Sequence, residues 1–413
     1  MRSVLRLFTL FGVSLVGLQA QECVNCHQET TPAIVSDWQL SKHSGMGIGC
    51  AVCHGSDHNS AADASEAKVP TPETCSMCHP AQVQQFSKGK HAAAWTVMNA
   101  MPTTHALPMA MTDGMKGCGG CHKIGLKSEE EMEELRAAGV GFGLASCDSC
   151  HTRHIFSVEE ARQPQACQTC HMGFDHPQWE MYSASKHGVR ALLKQNGKLP
   201  ESVAAPTCQT CHMQEGNHEV RTAWGFLAVR LPLPEDEQWK ADQVTILQAM
   251  GVLDPEGNPT ERLEAVKAVD AARLTQEAFD QERNKMLATC SECHSENFAK
   301  AELEKGDDTI REIDHLMAEA IRVVAGLYRD GILEKAEGYT HDFPDLLAFH
   351  DAPTGIEQKL FVMHLEHRMR AFQGTFHANP DYALWYGWSE MVRDLTEIRE
   401  MAEELRERAE SGR

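Results

Sequence analysis

All sixteen cysteines of the 413-residue chain fall in Cys-x-x-Cys pairs, and a histidine follows each pair at once. In order these are Cys23-Cys26-His27, Cys50-Cys53-His54, Cys75-Cys78-His79, Cys118-Cys121-His122, Cys147-Cys150-His151, Cys167-Cys170-His171, Cys208-Cys211-His212 and Cys290-Cys293-His294. Two thiols at this spacing can hold one porphyrin edge through thioether bonds, and the adjacent imidazole then swings over to become the proximal iron ligand. Zinc sites and thioredoxin-like pairs also use Cys-x-x-Cys, but neither needs histidine in the next position. Histidine makes up only 22 of 413 residues, so eight successive coincidences are excluded. Disulfide scaffolds of this cysteine density are mostly far shorter chains. The expectation is eight covalently attached c-type haems.

Fourteen histidines lie outside the motifs: His43, His58, His91, His105, His154, His176, His187, His218, His315, His341, His350, His364, His367 and His377. A haem that only transfers electrons takes two axial ligands, whereas a catalytic haem keeps one position open. His43, His58 and His91 stand among the early motifs, and His187 and His218 follow the sixth and seventh. His154 lies three residues after His151, too close to reach the far face of the same haem, so it should serve a neighbour. Short intervals such as His151 to Cys167 force haems together into an electron-conducting chain. Macrocycles then take the place of aromatic core residues, which are only 6% of the sequence.

The elements that must position these groups are mainly helical. Residues 1–20 read as a signal peptide: Arg2 and Arg6 at the start of an apolar run, then a small-residue exit at Leu18-Gln19-Ala20. This implies export to the periplasm as a soluble protein. Residues 21–300 form the expected haem-binding domain, with brief helices up to about residue 222 because proline and glycine break the connections. More regular helix follows, starting for example at Asn258-Pro259-Thr260-Glu261. Residues 301–413 are expected to form a helical domain covering haems and building an oligomer. Within it Ile310, Ile313, Met317, Ile321, Val324 and Tyr328 share one helical face. A second helix spans about 355–372, and a third carries the narrow seam Leu395, Ile398, Ala402, Leu405 and Ala409. That seam suits packing within the chain or association of subunits. The net charge of -21 argues against a nucleic-acid partner.

The segment Cys147-Asp148-Ser149-Cys150-His151-Thr152-Arg153-His154-Ile155-Phe156-Ser157, continuing through Cys167-Gln168-Thr169-Cys170-His171-Met172-Gly173-Phe174-Asp175-His176 to Ser185-Lys186-His187-Gly188, resembles the octahaem hydroxylamine oxidoreductase family. The likeness extends over nearly all of the chain after residue 20. Related multihaem nitrite reductases carry lysine at the catalytic motif, and here all eight motifs end in histidine. The resemblance implies that Cys118, Cys121 and His122 hold the catalytic haem, with Asp175 and His176 hydrogen-bonding substrate and passing protons. It implies His43, His58, His91, His154, His187, His218 and His377 as distal ligands of the other seven, and a homotrimer.

One departure bears on direction. Hydroxylamine-oxidising members of that family have a tyrosine, from a neighbouring subunit, bonded to the catalytic porphyrin. In the corresponding stretch His377-Ala378-Asn379-Pro380-Asp381-Tyr382-Ala383-Leu384-Trp385-Tyr386-Gly387-Trp388, Trp385 falls at that place, with Tyr382 and Tyr386 close by. The shorter branch without the tyrosine is associated with nitrite reduction. The expected function is therefore reduction of nitrite to hydroxylamine or ammonium at a five-coordinate fourth haem. The implied electron donor is a redox-partner cytochrome, as a membrane quinol-oxidising one would be. Oxidation of hydroxylamine or hydrazine at the same haem is the alternative, and a non-enzymatic electron conduit is a reading of another class.

Overall fold

A computed structural model describes residues 22–99, 119–139, 143–173, 175–225, 227–268, 270, 272–335, 341–347 and 352–411. The leader read at 1–20, together with Cys118, His105 and His350, lies outside the described residues. Among those described the architecture is helical, and the one extended pairing is an isolated bridge between Leu253 and Pro259. This is the mainly α fold expected.

Up to residue 222 the helices are short, mostly a turn or two, as at Cys50–His54, Pro72–Ser76 and Cys208–His212. Two in this stretch set up the later ligands: α1 (Gln178–Ala184) and α2 (Lys186–Gln195). Ser185 separates them and caps α2, its hydroxyl accepting from the Gly188 amide. Gly188 has no alternative, because a Cβ there would sit 2.0 Å from the Tyr182 carbonyl oxygen. Among the described residues of this half the apolar cluster comprises buried Trp95, Met98 and Leu144 with a few half-buried neighbours.

The main core is elsewhere. It joins Ala223 and Trp224 to α3 (Glu237–Ala249), α4 (Gln276–Ser291), α5 (Glu296–Arg329), α6 (Gly355–Val362), α7 (Arg368–Phe376) and α8 (Ser389–Ser411). Helix α5 is the axle, packed on α3, α7 and α8. Ile310, Ile313, Met317, Ile321 and Val324 are fully buried along it, as their spacing predicts. Residue 300, the expected domain boundary, falls inside this helix. The seam of α8 is used within the chain, with Leu395, Ile398 and Ala402 buried in the same core.

Two π-helical turns interrupt the C-terminal bundle, Met363–His367 between α6 and α7 and Ala383–Trp388 before α8. Gly387 permits the second to touch α7, since a Cβ would lie 2.4 Å from the Ala371 amide nitrogen. A buried ion pair ties α5 to α7: Arg368 donates to Asp314 at 2.7 Å. Asp314 also accepts from Trp239 of α3 at 2.9 Å, and Arg368 donates to the Leu227 carbonyl at 2.9 Å. The remaining lone pairs and protons are thus largely satisfied, as such a buried pair requires. No helix among the described residues is long and apolar enough to cross a membrane.

Candidate haem array

The motif histidines converge on a single cavity of about 2770 Å³. An ordinary ligand pocket is roughly 300–1,000 Å³, so this space suits several large groups. All eight motif histidines line it, together with His43, His58, His91, His154, His176, His187, His218 and His377. His315, His341, His364 and His367 do not. His315 and His367 instead face carboxylates in the bundle, Asp242 at 3.0 Å and Asp394 at 2.5 Å.

Inside the cavity the imidazoles stand in pairs. Between ring centroids, His27 is 6.0 Å from His58, His54 is 6.0 Å from His154, and His79 is 6.2 Å from His43. His151 is 6.2 Å from His218, His171 is 6.0 Å from His91, His212 is 6.4 Å from His377, and His294 is 6.1 Å from His187. A metal–imidazole bond of about 2.0–2.1 Å, plus a ring radius of about 1.1 Å on each side, puts two trans imidazoles roughly 6.2–6.4 Å apart. The observed spacings fit one iron between each pair. Among the described residues no group of three or more His, Cys, Asp or Glu surrounds a bare metal ion. The donor set fits haem.

The second member of each pair comes from a different stretch of chain. His154 faces the second motif and not its own neighbour His151, while His43 and His58 cross over to the third and first motifs. His187, at the start of α2, faces the eighth motif, and His377, just past α7, faces the seventh.

Ring orientation is fixed from behind by contacts at Nδ1. His27 Nδ1 is 2.7 Å from the Thr31 hydroxyl, and His58 Nδ1 is 3.0 Å from Asp63. His54, His122 and His377 donate to the carbonyls of Lys68, Ala94 and Gln373 at 2.9, 3.2 and 2.7 Å. His171 Nδ1 meets Gln178 Oε1 at 3.3 Å, and Gln178 is itself held by Gln373. Donation from Nδ1 leaves the Nε2 lone pair for a metal. These supporting residues carry no sequence signature strong enough to find them, although Thr31, Asp63 and Gln373 lie within five residues of their imidazoles.

Burial, and after it the facing imidazoles, pushes His171 down to about 3 and His212 down to about 4. Burial lowers His91, His122 and His377 too. All are thereby neutral at ordinary pH, the form that ligates metals.

The thiols give the order in which the motifs abut. Side chains meet between Cys23 and Cys50, Cys75 and Cys147, and Cys167 and Cys208. Cys53 is close enough to Cys75 to interact electrostatically, as are Cys150 with Cys167 and Cys211 with Cys290. The sequence of contact is one, two, three, five, six, seven, eight. Among the described thiols the fourth motif joins this line as a branch, its Cys121 touching Cys170 of the sixth.

At this branch the histidine facing His122 is His176, 6.3 Å away with ring planes 82° apart. His176 Nδ1 contacts Asp175 Oδ2 at 3.0 Å. Burial works against ionisation of Asp175, but the hydrogen bond and charge of His176 outweigh it and hold the carboxyl below its ordinary value. Tyr382, Trp385 and Tyr386 do not line the cavity of their own chain. Trp385 is 62% and Tyr386 57% exposed.

A family profile described as "Seven times multi-haem cytochrome CxxCH" matches residues 46–231 and 263–339. A probable nitrite reductase-hydroxylamine oxidoreductase fusion protein of Kuenenia stuttgartiensis is 28% identical across 96% of the chain. The chain spans about half of that relative, 53% of its length. Among solved structures, a reducing HAO-like protein complex of the same organism shares the fold. Its TM-score is 0.72 at 24% identity, over 95% of this chain and 86% of that one. A hypothetical multihaem protein matches with TM-score 0.66 and 21% identity, over 95% of this chain and 96% of its own.

Proposed function

The chain belongs to the multihaem CxxCH cytochrome family, and from that premise we propose that it carries eight c-type haems and reduces nitrite at the fourth. The observation that carries this reading is the carboxylate–imidazole pair Asp175–His176, which faces His122 of the fourth motif. Each haem, when bound, passes single electrons, and an iron with a free position can also take an inorganic nitrogen ligand. The protein's part is delivery. The contact of Cys121 with Cys170 brings electrons to the branch by way of the sixth motif. Nitrite reduction consumes protons along with electrons, and Asp175 and His176 are the titratable pair placed to hold and hand them on. Hydroxylamine or ammonium is the product.

The direction rests on Trp385, which occupies the place of the crosslinking tyrosine in the resembling oxidases. The exposed Leu384, Trp385 and Tyr386 suit contact with another copy in a homotrimer. A leader at 1–20 places the protein in the periplasm, where a partner cytochrome, itself reduced from membrane quinol, supplies the electrons. The named complex and fusion protein support a redox setting of this kind.

Purified holoprotein with a reduced dye should consume nitrite, and Asp175→Asn should slow it roughly 100-fold, the scale of one positioned proton donor. The haem peptide containing Cys121 should carry no C-terminal peptide by mass spectrometry, and sedimentation should give three chains per particle. A holoprotein that leaves nitrite untouched sinks the reading. One observation favours a second reading, a pure electron conduit: the 6.3 Å between His122 and His176 falls within the 6.0–6.4 Å range of the other seven pairs.

A further inference from the structure

Asp148 sits inside the fifth motif, between Cys147 and Cys150, and lines the haem cavity with a side chain only 3% exposed. One of its carboxylate oxygens, Oδ2, accepts from the Gly143 amide at 3.1 Å and stands 3.5 Å from the Arg153 guanidinium. The other, Oδ1, is covered and has no hydrogen-bond partner among the described residues. A charged oxygen buried without a donor is unfavourable, and a proton on it removes the charge. The place is a crossing of motifs. Asp148 acts electrostatically on Cys75 of the third motif and on Cys147 and Cys150 of its own. These thiols become thioethers when haem is attached, and they then no longer titrate. From the stretch after His122, Lys123 and Lys127 also face Asp148, with Glu131 beyond Lys127. Lys123 in turn acts on Cys121 and Cys170 of the branch. Burial pushes the Asp148 carboxyl above its ordinary value, against the pull of Arg153, the amides of Gly143 and Ala145, and Lys123. With opposed influences of this kind, a change of one charge nearby tips the balance.

We propose that Asp148 is a redox-linked proton site, its Oδ1 taking up one proton as the haems around it are reduced and returning it as they are oxidised. This rests on haem attachment at the third and fifth motifs and is independent of nitrite as the substrate. An iron that passes from ferric to ferrous loses one positive charge, and that charge is what favours the ionised carboxyl. The electron comes from the reductant, a partner cytochrome or a reduced dye. The proton comes from solvent, and the one bond made is O–H on Asp148. Arg153, with 39% of its side chain exposed, marks the side from which solvent reaches the carboxyl. Uptake cancels the charge of the electron inside a region of low dielectric, where an uncompensated charge is most unfavourable. Asp148 thereby ties electron movement between the third and fifth motifs to pH.

The test counts protons. Holoprotein is reduced photochemically in weak buffer with a pH indicator, across the neutral range. Asp148→Asn, which keeps the shape and cannot take the proton, should take up fewer protons than wild type, by up to one per chain. Asp148→Glu should restore the difference, and the haem content of each variant reports that attachment and folding are intact. Infrared difference spectra of wild type need no variant. On reduction the carbonyl stretch of a protonated carboxyl should appear, and it should move in protein labelled with carboxyl-13C aspartate, which leaves haem propionates unlabelled. Wild type without an aspartate-labelled band overturns the proposal, as does Asp148→Asn with undiminished proton uptake. Nitrite turnover on the same wild-type sample separates the two readings: turnover without the band sinks only the proton site, and the band without turnover sinks only the nitrite reading.

Discussion

Asp63 shows how much of a haem site lies one bond beyond its ligands. Its carboxylate takes the Nδ1 contact of His58 and also accepts from the amides of Asn59 and Ser60, so one residue shapes the loop and orients the ring. A carboxylate behind a ligating imidazole raises its donor strength and favours the ferric state. Asp63→Asn keeps the shape and removes the charge, so the midpoint potential of the first haem should rise. Spectroelectrochemistry of the variant reads this, and an unchanged or lowered potential contradicts it. At this scale the sequence was explicit about covalent chemistry, because Cys-x-x-Cys-His is local. It was silent about Gln178 and the carbonyls of Lys68 and Ala94, which reach their imidazoles through folding.

The C-terminal helices keep a second population of histidines for other purposes. His364 lies fully buried in the π-helical turn between α6 and α7, and neither ring nitrogen has a hydrogen-bond partner. Burial, reinforced by the Arg368 charge, pushes its pKa down to about 3 from 6.5. Above pH 6.5 neither the folded nor the unfolded chain protonates it. Below that, the unfolded chain takes up a proton that the folded chain refuses, so stability is lost as pH falls toward 3. His364→Leu should therefore remove about 2 kcal/mol of acid destabilisation between pH 6.5 and 5. Denaturant midpoints at the two pH values measure it, and equal acid sensitivity in both proteins refutes it. The periodicity of α5 and α8 was legible, as were the start of α6 and, within a few residues, the end of α7, but the single helix expected over about 355–372 is interrupted by the π-helical turn Met363–His367. What α8 packs against was not, because an apolar seam between charged flanks reads the same whether it meets its own chain or another. The burial of Leu395, Ile398 and Ala402 settles that it meets its own.

Across the whole molecule, apolar burial is lopsided. From Ala223 onward one continuous core runs through six helices, whereas the described residues of 22–222 form one small apolar cluster at Trp95, Met98 and Leu144, with Val35, Met181 and Tyr182 buried apart from it. Ordering about 200 residues costs far more than such a cluster returns, at roughly 1–2 kcal/mol of backbone entropy each. The haems must supply the missing core there. A haem-free chain, made in a host without attachment machinery, should be digested by trypsin through residues 22–222 while a C-terminal helical fragment persists. Equal resistance of both halves would show that protein packing alone suffices. The low aromatic content pointed to this substitution of macrocycle for side chain, but not to its uneven placement, because residue counts carry no address. The pairing of imidazoles was hidden for the same reason: fourteen candidates could be named, and only the fold says which faces which.

The crossed pairing of imidazoles has a consequence for manufacture. A polypeptide emerging N-terminus first presents its last attachment motif at Cys290–His294, yet the ring facing His212 arrives only with residue 377. With His377 as the proposed second ligand of the iron held by His212, covalent loading would be finished while that iron still has an exchangeable position. Translation halted between those points would yield a fully pigmented product with one leak in its insulation, so the coordination of that iron, rather than the number of haems attached, would record whether synthesis passed residue 377.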